Sequence, residues 1–375
     1  MNLLYAVMWD SKNPKSTWSG TGYSLYKALS EKISVDLVDT TPNNFEKLIT
    51  SWAQIRVKNG LPYREKNIYN KYLLKIQERN LNKKINNEKA PLLSIARSFS
   101  RDYSNQYVYM DLSPSSMIDI HKNKPELAKY LPFNMTSNQG MIWQRNFQRS
   151  AYKNCKAVFT MSEWVRDILI KEDGLDPTKV FAVGGGINLD VSKIKACEKY
   201  NNKILFVGRD FYRKGGDLVV KAFQMLKKEM PKAELYVAGP VKKPAEIDEA
   251  PDGIHFLGYL SFDKVAEYFN MCDVFCMPSR FEAYGLVYIE ALVYGLPCIV
   301  NNDFAMKEII HHGENGYLLS NEDINDLKDK MKDLLSNKKI KDNVHNNRDK
   351  YIKEYSWENV ADKMLTVIRQ NENAD

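Results

Sequence analysis

The chain has 375 residues, long for one compact domain and comfortable for two. Hydrophobic residues make up 44% and charged residues 27%, which excludes a disordered chain, a collagen-like fibre and a disulfide miniprotein. The net charge of +7 is uneven: residues 1–190 carry 27 Lys+Arg against 18 Asp+Glu and residues 191–375 carry 27 against 29, so a uniformly basic nucleic-acid binder is excluded as well.

The N-terminal stretch MNLLYAVMWDSKN has no basic region before its apolar residues and meets Asp10 early, unlike a signal peptide, and no apolar run is long enough for a membrane span. A cytoplasmic protein is expected. Five scattered cysteines (Cys155, Cys197, Cys272, Cys276, Cys298) read as reduced thiols packed among apolar residues.

The first half contains short apolar runs at 3–9, 34–40, 91–96, 106–113, 157–163 and 179–187. Most are continuous rather than alternating, as expected of strands covered on both faces in a parallel sheet. After the first run, WSGTGYSLYKAL places Gly20 and Gly22 ahead of a helical pattern. Backbone N–H groups there could reach a phosphate, but Leu25 stands where a dinucleotide fingerprint has its third glycine, so a plain tight turn explains the stretch equally. Residues 42–90 interrupt the alternation with a helical pattern (Ile68, Tyr69, Tyr72, Leu73, Ile76), and Arg56 to Lys89 hold ten Lys+Arg and three Asp+Glu. This segment reads either as a solvated helical excursion or as a surface for an anionic membrane or acceptor.

Asp111 closes the run VYMDLS, where it could cap the following helix or turn; His121 lies further from the strand end. Ser162 in MSEWVRDIL follows the next run and could be a helix cap. The glycine triplet Gly184–Gly186 and the polar stretch 188–202 predict the connection between two domains.

Further runs follow at 203–209, 233–240, 254–259, 273–279, 297–302 and 316–319, separated by helical patterns such as DLVVKAFQMLKKEM. Strand–helix alternation twice over predicts an α/β protein of two doubly wound, Rossmann-like domains, with ligands at the carboxyl ends of the strands in a cleft that the domains face. In LFVGRDFYRKGG, Arg209 and Lys214 follow a strand end, where two cations suit a diphosphate; solvated loop cations are the plain alternative. In SRFEAYGLVYIEALVYGLPCIV, Glu282 and Glu290 flank Gly285, which offers a bend at which a helix can start. Glu282 then lies in a loop and Glu290 about one turn into the helix, whose N-terminus suits phosphate, and the two carboxylates can accept from sugar and ribose hydroxyls. The plain alternative is two glutamates on an ordinary strand–helix turn. Cys272 and Cys276 lie in an apolar run and His311–His312 lack partners at ligand spacing, so no metal site is expected.

Together the glycine loop after the first strand, the Arg209–Lys214 pair, the Glu282–Glu290 motif, GLPCIV, HHGENGYLL and the closing YSWENVADKML resemble the retaining glycosyltransferases of family 4, which have the GT-B architecture. The resemblance is close in the second half and loose in the first. It implies a first domain over 1–190 on the acceptor side, a nucleotide-sugar-binding domain over 191–355, and a helix within 356–375 crossing back to the first domain. It implies Arg209 and Lys214 on the donor diphosphate, Glu290 on the ribose and Glu282 on the donor sugar, helped by N–H groups at Gly285, Leu286 and Val287. Gly20 and Gly22 would line the phosphate side, and Asp111 would act on the acceptor. The sequence departs from the family at AYG (283–285) and at NNDFAMKEII (301–310), the latter bearing on donor identity.

No Asp-x-Asp pair occurs, so a metal-independent reaction is expected. The resemblance implies hexosyl transfer with retention from a nucleotide-sugar (UDP-sugar favoured, GDP-mannose possible) to a glycan or lipid-linked glycan, without a cofactor. The expected location is the cytoplasm, with peripheral contact to an anionic membrane through 56–89. The rival readings are a nucleotide-sugar 2-epimerase or a phosphorylase of the same architecture, or a glycan-binding protein without activity.

Overall fold

The computed structural model describes residues 1–52, 55–58, 61–64, 71–85, 89–100, 102–131, 138–195, 201–240 and 252–374. The chain forms two compact units, Met1–Gly186 with Trp357–Asp375, and Ile187–Ser356.

The first unit carries strands β1 (Asn2–Val7) and β2 (Ser34–Asp39), an antiparallel hairpin of β3 (Ile55–Lys58) and β4 (Leu61–Arg64), then β5 (Leu92–Ile95), β6 (Gln106–Met110), β7 (Ala157–Thr160) and β8 (Val180–Ala182). Apart from the hairpin these form one parallel sheet in the order β2-β1-β5-β6-β7-β8. The six parallel strands fall in the six apolar runs of the first half. Residues Leu3–Val7 of β1 and all of β6 are buried, as continuous apolar strands covered by helices should be, whereas edge strand β2 buries only Val38. The helices are α1 (Thr21–Ser30), α2 (Asn44–Trp52), α3 (Lys71–Lys84), α4 (Pro114–Asn123), α5 (Asn138–Asn154) and α6 (Glu163–Asp173). The region 42–90 therefore holds two helices and a hairpin. Of its expected helical residues, Tyr72, Leu73 and Ile76 lie in α3, while Ile68, Tyr69 and part of the basic segment lie outside the described residues.

The second unit carries β9 (Lys203–Val207), α7 (Gly216–Glu229), β10 (Glu234–Ala238), β11 (Ile254–Gly258), α8 (Phe262–Met271), β12 (Val274–Cys276), α9 (Leu286–Val293), β13 (Cys298–Asn301), α10 (Met306–Ile309), β14 (Gly316–Leu319), α11 (Ile324–Ser336), α12 (Lys338–Asn346) and α13 (Arg348–Glu354). Its sheet runs β11-β10-β9-β12-β13-β14, all parallel. Numbered within the unit, that is the Rossmann order 3-2-1-4-5-6, whose direction reverses between β9 and β12. The loops leaving those two strands are the ones that carry Arg209, Lys214 and Glu282.

The last helix, α14 (Trp357–Ala374), belongs to the first unit. Trp357 is buried against Gly186, where a Cβ would come within 2.5 Å of the indole. Asp362 pairs with Lys32 at 2.8 Å, and Glu372 accepts from Asn105 at 3.2 Å.

Candidate functional site

In the second unit two loops meet because glycines let backbone touch backbone. Gly208 follows β9 and donates its N–H to the Ala238 carbonyl at 2.8 Å; a Cβ on Gly239 would sit 2.4 Å from the Gly208 carbonyl oxygen. At the start of α7, Gly215 has φ +76°, and a Cβ there would meet the Pro278 carbonyl oxygen at 2.2 Å. The loop after β12 is then sewn to the loop after β9: Arg280 N donates to Arg213 O at 2.8 Å and Ser279 Oγ to the same oxygen at 3.2 Å.

This seam buries Glu282, 8% exposed, beside Lys214. Lys214 Nζ binds Glu282 Oε1 directly, Arg213 Nη1 reaches the same oxygen at 3.1 Å and Ser279 Oγ at 3.3 Å. Burial alone would raise the Glu282 carboxyl, but Lys214 and Arg213 outweigh it and hold the group below its ordinary value. Burial also lowers Lys214, against the pull of Glu282. The described hydrogen bonds of Glu282 fall on Oε1, so Oε2 can accept from a hydroxyl. Lys214 and Glu282 are thus brought together as a pair, and Arg213, which the sequence reading passed over, is the third member. Arg209 is not part of it: its exposed guanidinium lies over the Tyr259 ring, 4.8 Å from the centroid.

Arg280 is the other residue sequence reasoning missed. It is 5% exposed and forks onto both oxygens of Asp217 (2.7 and 2.9 Å) and both of Glu322 (2.7 and 2.8 Å), and it binds the Tyr212 carbonyl. Burial opposes its charge, but the two carboxylates prevail and push its pKa up. It thereby ties the Glu282 loop to the start of α7 and to the segment after β14. The only sequence signal was an arginine within the Glu282 motif, because its partners lie 63 and 42 positions away.

Gly285, at φ +99°, precedes α9. Its conformation lets the Tyr288 ring close over it and aims the helix N-terminus, with Leu286 and Val287, out of the sheet end. Glu290, 7% exposed, accepts from Asn188 N at 3.2 Å. Burial pushes its carboxyl up to about 7, only partly offset by the Asn188 and Leu189 N–H groups. Glu290 is therefore poised to change charge near neutrality.

In the first unit, Gly20 (φ +95°) starts α1, while Gly22 lies inside its first turn rather than before it. A Cβ on Gly22 would meet Thr17 Cγ2 at 2.7 Å, and its carbonyl accepts from Tyr5 Oη at 2.8 Å, so it also serves local packing. Trp18 and Ser19 in the loop ahead take left-handed backbone angles. Asp111 is half-buried directly after β6. His121 sits on α4 with Nδ1 3.0 Å from the Met117 carbonyl. Ser162 caps α6, accepting from Val165 N at 3.2 Å. Cys155, Cys272, Cys276 and Cys298 are buried free thiols, and Cys197 lies outside the described residues. Among the described residues no group of three or more His, Cys, Asp and Glu is arranged to hold a metal, and no helix is long and apolar enough to cross a membrane.

Residues 190–355, which contain this cluster, match the family model "Glycosyl transferases group 1". An uncharacterized glycosyltransferase of Methanocaldococcus jannaschii is 26% identical over 217 residues, 57% of this chain and 59% of that one. The chain spans 59%, 61% and 61% of the length of the first curated relatives it matches. Sucrose-phosphate synthase of Thermosynechococcus elongatus superimposes with a TM-score of 0.67 at 16% identity, covering 100% of both chains. HepE of Anabaena, solved with UDP and glucose, does so with 0.62 at 13% identity, covering 98% of this chain and 99% of that one. These likenesses establish the fold: two parallel α/β units of the Rossmann-like kind, as in GT-B structures.

Proposed function

We propose that the chain is a glycosyltransferase that moves a hexosyl group from a nucleotide-sugar to a glycan or lipid-linked glycan, with retention and without a metal. The observation that carries this reading is the buried Lys214–Glu282–Arg213 cluster at the reversal point of the second sheet, inside the segment matching the glycosyltransferase family. In this reading Lys214 and Arg209 neutralise the diphosphate as it leaves, work a divalent ion would otherwise do. Glu282 accepts from donor-sugar hydroxyls through Oε2, and Glu290 from the ribose. Leu286 and Val287 lend N–H groups at the start of α9, with Gly285 setting their direction. Gly20 and Gly22 serve the phosphates and Asp111 the acceptor hydroxyl. That hydroxyl attacks the anomeric carbon on the face from which the phosphate departs; the carbon–phosphate-oxygen bond breaks and the leaving phosphate takes the proton. A UDP-sugar is favoured, in line with the UDP and glucose in the HepE structure.

The test is a panel of UDP-, GDP-, ADP- and dTDP-sugars, with and without chelator, read by thermal shift and slow release of free nucleotide. One donor that stabilises the protein and is hydrolysed in chelator supports the proposal. Silence toward every donor, or turnover only with manganese, overturns it.

A further inference from the structure

Helix α2 is built inside out. Its residues Phe45, Leu48, Ile49 and Trp52 are 70%, 53%, 46% and 69% exposed, and their spacing of three, four and seven places them in one stripe. The residues it buries are polar, Glu46 at 5% and Thr50 at 7%. A helix on a water-facing surface shows the reverse.

The orientation is fixed by a polar lock. Asn43 and Glu46 form a reciprocal capping box: Glu46 N donates to Asn43 Oδ1 at 2.9 Å, and Asn43 N to Glu46 Oε2 at 2.8 Å. Glu46 also binds Arg79 and, at 3.3 Å, Asn80 on α3. Turning the apolar stripe inward would carry Glu46 out to solvent and break its bonds to Arg79 and Asn80 on α3. The exposure is a property of the local structure, not an accident of a loose helix.

The neighbourhood names the occupant. Lys47 on α2 and Lys71, Lys75 and Lys83 on α3 are exposed, in the half of the sequence that holds the excess of positive charge. A second copy of this chain would bring those like charges together. An anionic bilayer offers both an apolar layer for the stripe and negative headgroups for the lysines.

We propose that α2 is an interfacial anchor, inserting Phe45, Leu48, Ile49 and Trp52 into the headgroup layer of an anionic bilayer while the positive charge of Lys47 and α3 attracts the unit to it. This places the inserted residues ahead of the basic segment 56–89 to which the sequence pointed, while Lys71, Lys75 and Lys83 belong to that segment. It does not depend on the transfer reaction, because the test contains no nucleotide-sugar.

The full chain is sedimented with vesicles of phosphatidylcholine alone or mixed with phosphatidylglycerol, at low and high salt. Binding to the mixed vesicles that weakens with salt is expected. Trp52→Ser should weaken it about tenfold and Phe45→Ser/Trp52→Ser about a hundredfold, at about a factor of ten for each aromatic buried. Far-UV circular dichroism and melting temperature should be unchanged, since both side chains face solvent. Absence of binding by the unaltered chain overturns the proposal, as does binding that the two substitutions leave intact. Concentration-dependent self-association abolished by the same substitutions, without vesicle binding, also overturns it in favour of a second copy.

Discussion

Lys214→Met probes the centre of the candidate site most directly. Methionine keeps the length of the side chain and removes its charge, leaving Glu282 8% exposed with Arg213 at 3.1 Å and the Ser279 hydroxyl at 3.3 Å. Breaking a buried ion pair from one side costs about 3–5 kcal/mol when the remaining charge is uncompensated. Here Arg213 compensates in part, so a loss of about 2 kcal/mol is expected. Charge should be the cause, so Lys214→Met/Glu282→Gln should recover at least about 1 kcal/mol of it. Urea unfolding of the full chain reads this. All 6 tryptophans (Trp9, Trp18, Trp52, Trp143, Trp164, Trp357) belong to the first unit. Their fluorescence therefore reports that unit, while far-UV circular dichroism reports both. The dichroism midpoint should fall with its slope unchanged, and the tryptophan transition should move less. A single variant within about 0.5 kcal/mol of the unaltered chain, or a double variant no better than the single, would refute the reasoning. Loss of activity in Lys214→Met is thus expected together with a measurable loss of stability, not with an untouched fold.

The raised Glu290 carboxyl predicts a pH dependence. Because the folded pKa of about 7 lies above the ordinary value of 4.5, the folded state binds the proton more tightly. The associated stability, roughly 3 kcal/mol, is complete below the unfolded value and is lost as pH rises through about 7. Glu290→Gln should flatten that slope in urea titrations between pH 5 and 8, and should abolish a rise in nucleotide affinity over the same range. Arg280→Lys keeps the charge but gives up the fork onto Asp217 and Glu322. A loss of about 2 kcal/mol in stability and at least about a tenfold fall in kcat/KM for the donor are expected, Lys being unable to hold two carboxylates bidentately. Gly285→Ala places a Cβ within 2.5 Å of the Tyr288 ring at a left-handed φ, and should cost about 1–3 kcal/mol by urea unfolding.

The parallel sheets were legible because strands buried on both faces leave continuous apolar runs, and even the exposed edge strand β2 falls in one. The hairpin β3–β4 was not, although Asn59–Gly60 separates its strands in the sequence, because a basic, helix-like composition surrounds it. At the candidate site, Glu282, Lys214 and Glu290 were singled out by position relative to strand ends; the structure pairs the first two and buries the third. Arg213 and Arg280 were not singled out, since their meaning lies in contacts 69 and 63 positions away. Arg209 was read with Lys214 as a cation for a diphosphate; the structure keeps it out of the Glu282 cluster, with its exposed guanidinium over Tyr259. The stripe on α2 is the inverse case: its helical period is plain, but period alone says nothing of which face the protein keeps, and that depends on Glu46 meeting Arg79.

The return of α14 to the first unit sets an order on synthesis. The second unit is one uninterrupted stretch, Ile187–Ser356, and can complete its core while the chain is still being made. The first unit is begun earlier and finished later. The pocket for Trp357 around Gly186, and the partners Lys32 and Asn105, must wait for residues 330 and 267 positions further on. Until then the half-made unit keeps an uncovered apolar face. A nascent chain of this protein should therefore acquire protease resistance in its second unit before its first, the reverse of the order in which the two are translated.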